Sequence, residues 1–192
     1  MESADFTDHV VDVVRRAHRL GPVALVGQSV GRLTLNTVAN RANRPIGQSA
    51  NRVNRVHWRS GGPEFPRVVR EGMAADRTDD EVRTLLNILE PDESAQIGTA
   101  DTRGLPGAWG RIPRTYLRFT EDRTIPPELQ DLMIEEADEL TPENRFHVRS
   151  LAAPHISPRD PGELAAELEL ELELVAGLCH RGSGLTPGGF EP

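Results

Sequence analysis

The chain contains no lysine, a single cysteine and few aromatic residues, and each shortage removes a class of explanation. Cys179 has no second cysteine to pair with and lies far from any Cys or His spacing that would build a zinc site, so neither redox nor metal chemistry is indicated. No window reaches the roughly 18 apolar residues of a membrane span. The opening MESADFTDHV carries acids where a signal peptide would have its apolar core. These features predict a soluble, cytoplasmic protein without a membrane partner. Positive charge is also in deficit, because 22 basic residues against 30 acidic ones leave a formal charge of −8. Nucleic-acid binding depends on a basic surface field, so no nucleic-acid partner is expected. Aromatics make up 4 % and apolar residues 37 % of the chain, beside 15 Pro and 17 Gly, which predicts a modest core with long loops.

What is present has the rhythm of an α/β protein. At 192 residues one domain is expected, over 1–178, followed by a disordered Gly/Pro-rich tail at 179–192. Residues 7–19 place Val10, Val13, Val14 and Ala17 at helical spacing, with Thr7 or Asp8 as N-cap. PVALV at 22–26 is an unbroken apolar run, as expected of a strand buried on both faces of a parallel sheet. A helix is predicted over 32–42, stopped by Pro45 and Gly47, and a strand over 53–58. Residues 60–108 read as an insertion, loop-like except for an acidic helix around DDEVRTLLNIL. RTYLRFT at 114–120 reads as a strand between Pro113 and EDRTIPP, and Pro126 with Pro127 opens a helix. FHVRSLA at 146–152 reads as another strand. LAAELELELELVAGL alternates in the manner of a strand, yet its Ala, Glu and Leu content and the stripe Leu164, Leu168, Leu172 and Val175 favour a helix.

GQSVG, at 27–31, falls between the apolar run and the helix that follows it. A serine at the apex of such a turn takes strained backbone angles that lift its hydroxyl above the sheet, and flanking glycines let strand and helix approach. Gly27, Gln28 and Gly31 would form this nucleophile elbow around Ser29. A serine hydroxyl needs a histidine base, and that imidazole needs an acid to fix its tautomer. In this fold class the chain order is Ser, then Asp or Glu, then His. Asp122 directly follows one predicted strand and His155 the next, so both would sit at the C-terminal edge of the sheet, where function collects in open α/β folds. Glu121 is the rival acid. His147 is the rival base, although a residue within a strand faces one side of the sheet rather than its edge.

Three segments carry a family resemblance: GPVALVGQSVG, WGRIPRTYLRFTEDRTIPPELQDLMIEEAD and VRSLAAPHISPRDPGELAAEL. They are similar to the surroundings of the nucleophile, acid and histidine in bacterial α/β-hydrolases related to plant methylesterases and hydroxynitrile lyases. The resemblance implies a partial α/β-hydrolase fold, a mostly parallel sheet of about four strands with flanking helices and a short cap at 60–108. It implies esterase-like chemistry on a small ester or other acyl substrate, with Ser29 as nucleophile, Asp122 as acid and His155 as base, and with no metal or cofactor. Val30 N–H would give half of the oxyanion hole. The family's other half comes from a His-Gly loop ahead of the elbow, where this sequence has a single helix, so a fold truncated at its N-terminus is expected. An apolar strand left at the sheet edge would favour homo-oligomers. The alternative is a catalytically inactive hydrolase serving as an interaction module. A third reading is an RNA-contacting segment at 32–59, suggested by six Arg and no acid between Gly31 and Pro63, but it lacks interleaved aromatics.

Overall fold

A computed structural model of the chain describes residues 3–21, 23–29, 53–55, 65–89, 92–94 and 104–181. The chain divides into two compact units, one of residues 1–54, 92–112 and 175–192, the other of residues 55–91 and 113–174.

The first unit opens with α1 (Ser3–His18), longer than the predicted helix, and α1 buries Val11 on its apolar stripe. Two short strands, β1 (Val53–Arg55) and β2 (Asp92–Ser94), pair with each other. Residues 23–28 correct an expectation, because they carry no strand ladder and Leu25 and Val26 are 43 % and 70 % exposed. An apolar run becomes a strand only where a neighbouring strand takes up its N–H and C=O groups, and no described strand pairs with this one. The helix predicted over 32–42, the second half of the strand predicted over 53–58 and the tail from 182 lie outside the described residues.

The second unit holds the structural theme of the chain, a β-α-β unit. β3 (Thr115–Phe119) leads into α4 (Pro127–Leu140) and returns through β4 (His147–Leu151). The two strands are parallel, in a register that sets Thr115 beside His147 and Phe119 beside Leu151. Parallel neighbours require a crossover, and the 14 residues of α4 supply it. Pro127 sits in the helix's first turn, where its missing N–H costs no bond. Helix α4 grips β3 through Gln130, which is buried. Its Nε2 donates to Phe119 O and Ile125 O, both at 2.8 Å, while its Oε1 accepts from Phe119 N–H at 3.0 Å. Beyond β4, α5 (Pro161–Arg181) is the predicted helix, running three residues into the expected tail. It is tied to the strands by Glu167, which accepts from Arg149 Nε at 2.6 Å, and by Glu171, which accepts from the Thr115 hydroxyl.

The insertion is more ordered than its composition suggests. It folds into a helical hairpin of α2 (Phe65–Met73) and α3 (Asp79–Ile88), packed around Val69, Ala74, Val82 and Leu86. Thr78 and Glu81 form a reciprocal cap at the start of α3, Thr78 N–H donating to Glu81 Oε2 at 2.7 Å and Glu81 N–H to Thr78 Oγ1 at 3.3 Å. The molecule is thus a mixed α/β protein with a small parallel sheet. Among the described residues the strands form two pairs, β1–β2 and β3–β4, rather than one sheet of four. No helix among the described residues is long and apolar enough to cross a membrane.

Candidate functional site

The last residues of β3 and β4 lie side by side, so the loops leaving them start from one place. The ladder continues past the strand ends, with Thr120 N–H donating to Leu151 O at 3.0 Å and Glu121 N–H to Ala153 O at 3.2 Å. Each loop then turns and delivers one ionisable side chain to a common point. His155 Nδ1 lies 2.8 Å from Asp122 Oδ2, and the two residues are 6 % and 5 % exposed. Because the carboxylate has no proton to give, Nδ1–H donates and Oδ2 accepts. The second carboxylate oxygen is also occupied: Asp122 Oδ1 accepts from Thr124 N–H and from Ile125 N–H, each at 2.8 Å. This Asx turn fixes the carboxylate, the carboxylate fixes the tautomer of the imidazole, and Nε2 is thereby the ring nitrogen that carries the basic lone pair.

The loops are held from outside the sheet by α2. A helix leaves its last carbonyls without intrahelical partners, and here three successive ones are taken up. Glu71 O accepts from Arg123 Nη1 at 3.2 Å, Gly72 O from the Thr124 hydroxyl at 3.0 Å, and Met73 O from Ile156 N–H at 2.8 Å. The acid loop and the histidine loop are therefore attached to the same helix end.

The rivals are placed elsewhere. Glu121 is exposed, and His147, at the start of β4, lies 3.4 Å from Glu171 Oε1 of α5. No protein family matches this chain, and neither does any curated protein.

Ser29 belongs to the first unit and Asp122 with His155 to the second. The backbone at Ser29 has φ +53°, one of two non-glycine residues with positive φ among those described, the other being Ser157. A serine in that region is uncommon, and strained residues of this kind concentrate at functional sites. Gly27 and Gln28 precede it without regular structure, while Val30 and Gly31 lie outside the described residues. Two contributors went unnoticed at the level of sequence: Gln130, which fixes the end of β3 before the acid, and Thr124, whose N–H and hydroxyl join the acid to α2. Each of these bonds has a main-chain group at one end, which leaves no pattern of residue types to read.

Proposed function

We propose that this protein is a serine hydrolase acting on a small carboxylic ester or related acyl substrate through an acyl-enzyme. The observation that carries the proposal is the buried Asp122–His155 pair at 2.8 Å, at the C-terminal ends of two adjacent parallel strands. A buried histidine whose Nδ1–H is held by a fixed carboxylate is equipped to take a proton at Nε2 and to be stabilised once charged. The positive φ of Ser29, within G-x-S-x-G, supports its role as nucleophile. The β3–α4–β4 unit is read as part of an α/β-hydrolase sheet of about four mostly parallel strands, with the α2–α3 hairpin in the cap position.

In this mechanism Ser29 Oγ attacks the carbonyl carbon as its proton passes to His155 Nε2. Val30 N–H stabilises the oxyanion of the tetrahedral intermediate. Collapse breaks the bond to the alkoxy group, which leaves as the alcohol with the proton from His155. Water, deprotonated by His155, then hydrolyses the acyl-enzyme and restores Ser29. Nucleophile, base and acid are all side chains, so the reaction asks for no metal or cofactor.

Labelling of the full chain with a fluorophosphonate tests the reading without knowledge of the substrate. One adduct is expected, on Ser29, and Ser29→Ala should remove it. An adduct that persists in Ser29→Ala, or no adduct in the wild-type chain, overturns the assignment. The exposure of Leu25 and Val26 favours a second reading, a catalytically inactive hydrolase serving as an interaction module and pairing with other copies through this apolar segment. Under it Ser29 stays unlabelled and light scattering reports self-association.

A further inference from the structure

Among the described residues the loop that presents His155 shows no ladder bond beyond Ala153, yet it keeps the imidazole buried and aimed at Asp122. We propose that Arg77, in the turn between α2 and α3, is the positioning residue that sets His155, an inference that rests on the hydrolase reading above. Arg77 Nη1 donates to Ile156 O at 2.8 Å and to Ser157 O at 3.2 Å, the two carbonyls that follow His155 in the chain. These belong to the peptide groups on either side of the Ser157 Cα, and Ser157 has φ +50°. An L residue keeps that conformation only where its surroundings fix it. The Arg77 guanidinium grips both peptide planes at once. Its side chain is 18 % exposed, and Asp76 Oδ1 lies 3.2 Å from the same Nη1, balancing the charge.

The rest of the turn closes on the same loop. Asp76 Oδ2 accepts from Arg159 N–H at 2.6 Å, and Arg159 Nε donates to Glu81 Oε1 at 2.9 Å. Met73 O holds Ile156 N–H from the other side. The residue after His155 is thus fixed at both its N–H and its C=O by one helical hairpin. Arginine suits this position because its Nη1, at the end of a planar, rigid group, reaches both carbonyls.

The test is to compare the wild-type full chain with Arg77→Met and Arg77→Lys by two readouts that a merely stabilising residue would leave unchanged. The first is the downfield NMR resonance of the His155 Nδ1 proton bonded to Asp122. The second is the rate constant for fluorophosphonate labelling of the folded fraction. Arg77→Met should lose or broaden the resonance and slow labelling about 10- to 100-fold, the scale of loss when a reacting group is misplaced by about 1 Å. Arg77→Lys, which keeps a cationic donor, should recover the resonance and most of the rate. A folded Arg77→Met variant with the wild-type resonance and rate constant overturns the proposal. If Arg77→Met does not fold, Arg77→Gln applies the same two readouts to a milder change, and wild-type values there also overturn it. If Ser29 takes no probe in the wild-type chain while the resonance is present there and lost in Arg77→Met, the positioning role stands and the hydrolase reading falls.

Discussion

Replacing Asp122 by asparagine separates the chemical role of the carboxylate from its structural one. The amide oxygen of the substituted side chain can still accept from Thr124 and Ile125 N–H, so the Asx turn survives. The amide nitrogen then faces His155 Nδ1, where the carboxylate oxygen stood at 2.8 Å. Two donors cannot bond, so the imidazole moves its proton to Nε2 and turns Nδ1 into an acceptor. A histidine in that tautomer has no lone pair to offer a serine. If the proposed triad operates, loss of the acid's effect on the base is worth about 10⁴ in turnover, equivalent to about 5 kcal/mol of transition-state stabilisation. The cost to folding should be much smaller, about 1–2 kcal/mol, because only one of three hydrogen bonds to the carboxylate is altered. Asp122→Ala, in contrast, strands two partly buried amides and the buried imidazole and should cost about 3–5 kcal/mol. Thermal unfolding and the labelling rate read the two quantities independently. An Asp122→Asn variant that labels at the wild-type rate would refute the argument, as would one that loses as much stability as Asp122→Ala.

Further outcomes follow from the same structure. His155→Ala should abolish labelling whereas His147→Ala should leave it within about threefold, since His147 pairs with Glu171 on α5; the reverse result reassigns the base. Leu86→Ala, at a nearly fully buried position in the hairpin core, should lower stability by about 2–5 kcal/mol in urea or thermal unfolding, and a loss below about 1 kcal/mol would mean that the hairpin does not pack as described. Glu81 has its carboxyl held below the usual range, first by the Thr78 backbone N–H, then by the Thr78 hydroxyl and Arg159. A lowered folded value contributes stability above the ordinary carboxylate range that is lost as pH falls through the folded value. Glu81→Gln should therefore flatten the acid side of the melting-temperature profile, and an unchanged acid slope would count against the cap.

The β-α-β unit was legible because its signals are local. Tyr116, Leu117 and Phe119 between prolines mark a strand, Pro126 and Pro127 mark a helix start, and a strand ending just before Asp122 or His155 puts that residue at the sheet edge. The closeness of Asp122 and His155 followed from that placement. Helix α2 was hidden by Gly61, Gly62, Pro63 and Pro66, which punctuate the sequence as a loop does, although Pro66 falls in the first turn, where a helix tolerates it. PVALV misled because hydrophobicity reports burial preference and says nothing about whether a partner strand is available. Arg77 could not have been found at all, since its acceptors are main-chain carbonyls 79 and 80 positions away.

That separation also bears on how the chain folds. Closing a loop of some 80 residues costs entropy before any contact offsets it, and contacts so distant in sequence form slowly. The β-α-β unit, with its two strands joined through one helix, has a shorter path to assembly than the attachment of residues 71–77 to the loops at 122–124 and 155–159. Asp122 and His155 are therefore expected to meet early in a loose form and to become fixed when the hairpin docks. In a refolding experiment the recovery of strand and helix signals should precede the recovery of serine labelling, so that the chemistry of the site reports the final step of folding rather than the first.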